Sequence, residues 1–379
     1  MPPLDYEYRD ALPDGPGRRR GAGLNPGNRF EANRFHADGD AMDRQRAERN
    51  VDGGDPEVAD RVRVPLTVIA DKTIHVINKV APTSDVPFDW TVNPYRGCEH
   101  GCIYCFARPY HEYLGYSCGL DFETKIVAKH DAPGLLRKEL AKPTWKGEPI
   151  VMSAITDIYQ PLEKELELAR GCLEVMVECG QPVTTMTKGA LVLRDTDLWA
   201  KAGAMNTGRV TVTLVTLDDA LAKRLEPRAA APTRRLYMIR ELVKAGVPVS
   251  VNIAPVIPGL TDIEMPAILE AVADAGARRV AWVMLRLPYQ IKDLFLDWLG
   301  HNVHPERAKH VESMIRQSYG GKLYNAGTPV RRRGKGQIAA QVAQVFDVFT
   351  RKHGLNRDVR PLTRHHFRHP SDGTQMVLF

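Results

Sequence analysis

The sequence has 379 residues and lacks several features that mark common protein classes. No run of about 18 uncharged apolar residues is present, which argues against a transmembrane helix. The first residues, MPPLDYEYRDALPDG, lack the apolar core of a secretory signal. No Walker loop, GxGxxG fingerprint, HExxH motif or nucleophile elbow appears. These absences predict a cytoplasmic protein without a membrane partner, in a compartment where clustered cysteines bind metal more often than they form disulfides.

Composition is that of an ordinary globular protein, with 43% hydrophobic residues, 26% charged residues and a mean hydropathy of −0.31. The net charge of +6 permits an anionic partner such as nucleic acid but does not demand one. Residues 1–60 are rich in Gly, Pro, Arg and Asp and have almost no apolar periodicity. Such a segment buries too little surface to offset its chain entropy, so we expect a disordered basic leader.

The remaining chain divides by its hydrophobic pattern. Residues 61–85 hold two β-rich runs around Asp71 and Lys72, which predict a β-hairpin. Residues 86–290 alternate strands with helices, and about six strands are indicated. This alternation predicts an α/β fold with a parallel sheet that closes partly as a (β/α)6 barrel of the TIM type. Residues 291–355 form a helical extension, and residues 356–379 are predicted to be a flexible tail.

Half of the six cysteines lie in one short stretch, NPYRGCEHGCIYCFARP, at residues 93–109. Cys98, Cys102 and Cys105 have CxxxCxxC spacing, and a structural zinc site normally needs four protein ligands. Three interpretations remain open. The thiols are buried apolar groups, or His100 joins them at a zinc ion, or they hold an iron–sulfur cluster whose remaining iron binds an external molecule.

The stretch resembles the cysteine motif of the radical S-adenosylmethionine (SAM) superfamily, in which an aromatic residue precedes the third cysteine. It is most similar to the branch related to spore photoproduct lyase, often labelled DNA repair photolyases. Further matching segments follow in order: TDIYQPLE, TKGALVLRD, LEPRAAAPTRRL and PVIPGLTD, and the N-terminal RGAGLNPGNRFE resembles a leader in a subgroup. The resemblance implies a radical SAM core at residues 86–290. It also implies that Cys98, Cys102 and Cys105 hold a [4Fe–4S] cluster, where SAM is cleaved reductively to a 5′-deoxyadenosyl radical.

The resemblance also implies a set of SAM contacts at strand ends, where barrels of this kind place their active sites. These residues are Tyr104, Thr156, Asp157, Lys188, Glu226, Pro255 and Ile257. Asp157 also suits a helix N-cap, and Lys188 also suits a solvated strand end. Ala154 stands where spore photoproduct lyase has a hydrogen-donating cysteine, so the resemblance does not carry that lyase reaction over to this chain.

The C-terminal QMVLF resembles the peptide with which bacterial repair proteins dock on the DNA sliding clamp, through Gln375, Leu378 and Phe379. Together with basic stretches such as RRRGK at 331–335, it favours a nucleic-acid substrate. The resemblance further implies an electron donor such as flavodoxin or ferredoxin. Two alternatives are the same chemistry on a protein or small molecule, and a zinc-stabilised nucleic-acid-binding protein without catalysis.

Overall fold

A computed structural model describes residues 20–30, 65–81, 84, 86–357 and 360–370. Within these residues the chain is a mixed α/β structure, and no helix there is both long and apolar enough to cross a membrane. The QMVLF segment lies outside the described residues, so the clamp-docking interpretation stays a prediction.

In the described part of the chain, ten strands form two sheets. They are β1 (Thr67–Ala70), β2 (Ile77–Lys79), β3 (Trp90–Val92), β4 (Tyr95–Arg96), β5 (Lys125–Ala128), β6 (Ile150–Met152), β7 (Val183–Thr187), β8 (Gly208–Thr213), β9 (Val249–Val256) and β10 (Arg279–Met284). The larger sheet has the order β10-β9-β8-β7-β6-β3-β2, and β3 and β6 to β10 run parallel in chain order. Six parallel strands joined by helices confirm the predicted partial barrel.

Helices cover the sheet and continue beyond β10. They are α1 (Asp121–Thr124), α2 (Ala132–Leu140), α3 (Glu163–Leu166), α4 (Leu168–Glu178), α5 (Thr196–Ala204), α6 (Asp219–Leu225), α7 (Pro232–Lys244), α8 (Met265–Asp274), α9 (Ile291–Asn302), α10 (Pro305–Ser318), α11 (Val330–Arg333) and α12 (Gly336–Lys352). The described residues also contain 3-10 segments at Arg108–Leu114, Ala190–Asp195 and Asp262–Glu264. From α9 to α12 the described chain is helical and contains no further strand.

The core forms where the apolar faces of strands and helices meet. In β8 the two valines, Val210 and Val212, are fully buried, whereas Arg209 and Thr211, which alternate with them, are partly exposed. This alternation follows from the two-residue period of a strand. It directs the apolar side chains into one continuous cluster that also contains Ile239 and Leu242 of α7. The strands are thereby fixed, and their carboxyl ends meet at one edge of the sheet.

The predicted hairpin at residues 61–85 is wrong, because its two runs pair with different strands. β1 is parallel to β5 in the smaller sheet, and β2 is antiparallel to β3 at the edge of the larger sheet. Between them, Asp71 accepts a hydrogen bond from the backbone N–H of Thr73, which turns the chain. Each run therefore finds its partner far along the chain, and adjacency in sequence is a poor guide to pairing here.

Two short segments that we expected to be disordered or flexible are instead packed. Residues 20–30 of the leader lie against the loop that carries the cysteines, as described below. Residues 360–370 run beneath the amino ends of the strands: Thr363 donates a backbone hydrogen bond to Asn206, and Arg368 donates one to Cys179. Since Asn206 and Cys179 precede β8 and β7, this segment lies at the opposite end of the barrel from the cysteines.

Candidate cofactor site at the cysteine loop

The cysteine loop, residues 97–107, follows β4 and is shaped by two glycines. Gly97 and Gly101 have φ angles of +82° and +67°, in the left-handed region that favours glycine. A side chain at Gly97 would also collide with the Phe122 carbonyl, 3.0 Å from an added Cβ. These constraints bring Cys98 and Cys102 into a buried position and leave Cys105 partly exposed, all three as free thiols.

The His100 ring, a possible fourth ligand of a zinc site with the cysteines, faces the carboxylate of Asp157. Its Nδ1 atom lies 3.2 Å from Oδ2 of Asp157. Across the described part of the chain, no group of three or more His, Cys, Asp or Glu side chains is arranged around a single metal ion. The donor set that the loop does offer is three thiols, and thiolates are the usual ligands of iron–sulfur clusters.

The Arg108 side chain fixes the backbone of the cysteine loop by hydrogen bonds, a role that the sequence alone did not indicate. The side chain is fully buried and donates to the carbonyl oxygens of Gly101 and Cys102, at 3.2 and 3.0 Å. It also donates to Oε1 of Glu123 at 2.6 Å and to the carbonyl of Gly119 at 2.8 Å. The guanidinium thus binds the backbone of the cysteine loop, the backbone at Gly119 and the Glu123 carboxylate at the same time. The nearest signal in the sequence is that Arg108 lies within the quoted cysteine stretch, three residues after Cys105.

Residues 20–22 of the leader also bind Glu123, the carboxylate that pairs with Arg108. The backbone N–H groups of Gly21 and Ala22 each donate to the Glu123 carboxylate at 2.9 Å. Arg20 donates to the Glu123 carbonyl at 2.9 Å. A Cβ added at Gly21 would lie only 1.8 Å from the carbonyl oxygen of Gly101, so the leader and the cysteine loop are in direct backbone contact. The position of the leader is therefore coupled to the shape of the loop.

Asp157, expected to contact SAM, is held by protein groups at the carboxyl end of β6. Oδ1 accepts from Tyr159 N and from the Thr187 hydroxyl, and Oδ2 accepts from Lys188 N and faces His100. Burial alone raises the pKa of Asp157, but His100 and these hydrogen bonds lower the pKa to about 2. A carboxylate has about four acceptor positions, and all of them are occupied here. Asp157 therefore joins the cysteine loop to the end of β7.

Thr156, the neighbour of Asp157, contacts the cysteine loop directly. Its hydroxyl donates to the Gly97 carbonyl at 2.6 Å and accepts from the Gln160 side chain at 3.3 Å. Gln160 in turn accepts from the backbone N–H of Glu99 at 2.9 Å. Thr156 and Gln160, which follow β6, thus bind the cysteine loop at Gly97 and at Glu99.

Tyr104 and Glu226 form a second buried group beside the cysteines. The Tyr104 hydroxyl donates to one oxygen of Glu226, and Arg235 donates to the other. Burial raises the pKa of Glu226, but Arg235 and Lys188 outweigh this effect and lower it, so the carboxylate is charged. Because both oxygens of Glu226 have protein partners, this residue fixes the Tyr104 ring in place.

Lys188 brings a positive charge to the same place. Its Nζ atom lies 5.7 Å from the centroid of the Tyr104 ring, at the end of β7. Burial lowers the pKa of Lys188, but Cys102 and Glu226 outweigh this effect and raise it. A charged ammonium beside the cysteine loop suits the carboxylate group of SAM.

The carboxyl end of β9 and the turn after it lie at the same end of the sheet. Pro255 within β9 and Ile257 just after it are buried, and the Ile257 N–H donates to the Thr261 hydroxyl at 3.0 Å. Among the described residues, hydrogen bonds and charge contacts connect the cysteine loop, including Tyr104, with Asp157 and Lys188. No such contact in the described part of the chain joins Pro255 or Ile257 to this group. The free thiols and the buried ammonium together fit a [4Fe–4S] cluster and SAM.

Comparison with known proteins agrees with this chemistry. Residues 92–272 match the model of the radical SAM superfamily. The uncharacterized protein Rv2578c of Mycobacterium tuberculosis is 37% identical over 243 residues, which are 64% of this chain and 71% of that protein.

The fold is similar to solved structures of spore photoproduct lyase. One, complexed with dinucleoside spore photoproduct, has a TM-score of 0.56 at 12% identity and covers 76% of this chain and 80% of that one. Another, a variant with bound AdoMet and the same dinucleoside, has a TM-score of 0.56 at 14% identity and covers 80% and 84%. At these identities the likeness concerns the fold. With its three loop cysteines, six parallel strands and these matches, the chain belongs to the radical SAM superfamily, whose cofactors are a [4Fe–4S] cluster and SAM.

Proposed function

We propose that this protein uses radical SAM chemistry to repair or modify nucleic acid. When bound, the cluster and SAM supply reductive cleavage of SAM to a 5′-deoxyadenosyl radical that takes hydrogen from the substrate. The observation that carries the chemistry is the loop of three free thiols, braced by Arg108 and flanked by the Lys188 ammonium. The substrate class is supported by the likeness in fold to a lyase solved with a dinucleoside, and by the net charge of +6.

The side chains of the site take different parts in this proposal. Cys98, Cys102 and Cys105 hold the cluster, and Lys188 binds the SAM carboxylate. Asp157 and Glu226 position neighbouring groups and do not bind SAM themselves. The Asp157 carboxylate is occupied by His100 and by the backbone at the end of β7. The Glu226 carboxylate is occupied by Tyr104 and Arg235.

We propose that the other expected residues contact SAM through their backbone atoms or their apolar side chains. Thr156 supplies main-chain groups near the SAM amino group. The backbone of Tyr104 and the turn with Pro255 and Ile257 lie against the adenosine part of SAM. In this assignment Thr156, Lys188 and Ile257 follow the carboxyl ends of parallel strands, where folds of this kind place their active sites.

Replacing Lys188 with glutamine is expected to raise the KM for SAM about 10- to 150-fold, because a hydrogen bond to a charged group is worth about 1.5–3 kcal/mol. The measurement is 5′-deoxyadenosine formation as a function of SAM concentration, with iron content determined in parallel. Lys201→Gln, an exposed lysine on α5, is the control and should keep the wild-type KM. An unchanged KM in Lys188→Gln with normal iron content would remove Lys188 from the SAM site.

Removal of residues 375–379 is expected to abolish binding to the DNA sliding clamp and to leave SAM cleavage intact. The reason is that Gln375, Leu378 and Phe379 supply the polar and apolar anchors of a docking peptide. A pull-down of purified clamp by the intact and shortened proteins measures the effect. Equal retention by both proteins, or none by the intact protein, would discard the docking role.

The substrate is tested by product analysis. The reconstituted protein, reduced by dithionite or by flavodoxin or ferredoxin, is incubated with SAM and irradiated DNA, tRNA or cell extract. Deuterium carried by the substrate should appear in 5′-deoxyadenosine when nucleic acid is supplied. Transfer only from protein or small-molecule fractions of the extract would show that the substrate class is wrong while the chemistry stands.

A further inference from the structure

An unusual group of exposed aromatic rings lies beside the cysteine loop. Phe30, Tyr110, Tyr113 and Tyr289 are 57%, 49%, 66% and 61% exposed. They come from three separate parts of the chain: the leader, the 3-10 segment Arg108–Leu114, and the turn after β10. Large apolar rings gathered on a surface in this way mark sites of interaction. We call these four rings the aromatic platform.

Arg29 holds the aromatic platform together. Its guanidinium carbon lies 3.9 Å from the ring centroid of Tyr289, 4.7 Å from that of Phe30 and 5.7 Å from that of Tyr113. The Phe30 and Tyr113 centroids are 5.0 Å apart, and those of Tyr110 and Tyr113 are 6.4 Å apart. The rings therefore form one contiguous surface with a cation beneath it.

The platform is anchored to the buried structure, so its rings are held in place in the free protein. The Arg29 side chain pairs at 3.4 Å with Glu112, whose side chain is fully buried, and the Arg29 backbone N–H donates to the same carboxylate at 3.1 Å. On the third segment, the Gln290 side chain donates to the Gly27 carbonyl at 3.0 Å and so ties the turn after β10 to the leader. A rigid platform binds a ligand without a large cost of ordering.

A cavity of about 210 Å³ connects the platform to the cysteine loop. Its lining includes Tyr110 and Tyr113 of the platform, and also Arg96 and Gly97, which directly precede Cys98. His111 also lines the cavity; it is 1% exposed, and neither ring nitrogen has a hydrogen-bond partner of normal geometry among the described residues. The His111 ring packs against the rings of Tyr116 and Phe122, with centroid distances of 5.4 and 5.6 Å, so the wall of the cavity is largely aromatic.

We infer that the aromatic platform binds an unpaired stretch of nucleic acid, whose bases stack on its rings and lead toward the cavity beside Gly97. This inference rests on the proposed function. Ring faces attract the faces of bases, which a duplex hides and an unpaired strand exposes. The neighbouring cations suit the phosphates: Arg96 lines the cavity, and Arg286 lies 5.2 Å from the ring centroid of Phe106, which follows Cys105.

The test measures binding of fluorescein-labelled oligothymidylate to the reconstituted full-length protein by fluorescence anisotropy, as a single strand and as a duplex. We expect tighter binding of the single strand. Tyr113→Ala should weaken single-strand binding about 5- to 150-fold, the equivalent of one lost base–aromatic stack. Tyr113→Phe should keep the affinity, because stacking needs the ring and not the hydroxyl, whereas Tyr113→Leu should lose it.

Tyr237 supplies a matched control at a distance from the site. It is a 42% exposed tyrosine on α7 with Arg234 4.6 Å from its ring centroid, so Tyr237→Ala also removes an exposed ring that is paired with arginine. We expect Tyr237→Ala to bind oligothymidylate as the wild type does. Equal losses in Tyr237→Ala and Tyr113→Ala would overturn the inference, as would tighter binding of the duplex.

Two further outcomes separate the platform from the proposed function. If nucleic acid donates deuterium in the product assay but Tyr113→Ala binds it with wild-type affinity, the platform is wrong and the proposed function stands. If no nucleic acid binds or reacts, both are wrong. A dimer in size-exclusion chromatography that Tyr113→Ala converts to a monomer would show that the rings form an interface between two copies, and would also overturn the inference.

Discussion

Cys102→Ala is expected to reduce SAM cleavage by at least about 100-fold, because the loop then offers two thiolates and cannot hold the cluster securely. Cys102 is the middle cysteine of the motif, it is buried, and its carbonyl is fixed by Arg108 at 3.0 Å. Removing its thiol thus deletes a ligand from a loop that the surrounding structure already holds in shape. The measurement is 5′-deoxyadenosine formed from SAM under dithionite, together with iron and sulfide content.

Cys172→Ala is the matched control for this experiment. Cys172 is also a free, fully buried thiol, but it lies on α4 in the apolar core. We expect Cys172→Ala to bind iron and cleave SAM at the wild-type rate. If Cys102→Ala cleaved SAM as fast as Cys172→Ala, the ligand assignment would be wrong.

Gly21→Ala is expected to detach the leader from the cysteine loop. The added Cβ would lie 1.8 Å from the Gly101 carbonyl oxygen, which belongs to backbone and cannot rotate away. Detachment removes the hydrogen bonds that Gly21 and Ala22 donate to Glu123. Bonds to a charged group contribute about 1.5–3 kcal/mol each, so the docked leader should lose roughly 3–6 kcal/mol.

Hydrogen exchange followed by mass spectrometry measures this loss. In Gly21→Ala the amides of residues 20–30 and of the cysteine loop should exchange at least about 100-fold faster than in the wild type. Gly27→Ala provides a control within the same segment, since a Cβ there meets no atom within 4 Å. The same slow exchange in Gly21→Ala as in Gly27→Ala would show that the leader is not coupled to the loop.

The parts of this structure that the sequence predicts correctly are local or periodic. The six parallel strands follow from runs such as RVTVTLVT, where Val210 and Val212 face the core. The three cysteines are recognisable because their spacing lies within eight residues. In both cases the signal and the structure that it predicts occupy the same short segment.

Interactions between distant residues account for what the sequence did not predict. The leader docks through backbone N–H groups on Glu123, about 100 residues away, and so shows no apolar periodicity of its own. The hairpin prediction failed because β1 and β2 pair with β5 and β3. Similarly, no spacing rule places His100 on Asp157, although this pair explains why the Asp157 carboxylate is occupied.

Anaerobic reconstitution of the wild-type protein with iron and sulfide tests most directly whether the cysteine loop is a radical SAM site. We predict a brown protein with about four irons and four sulfides per chain, as a [4Fe–4S] cluster requires. With dithionite and SAM it should form 5′-deoxyadenosine and methionine. A colourless protein that retains one zinc ion and leaves SAM intact would contradict this prediction.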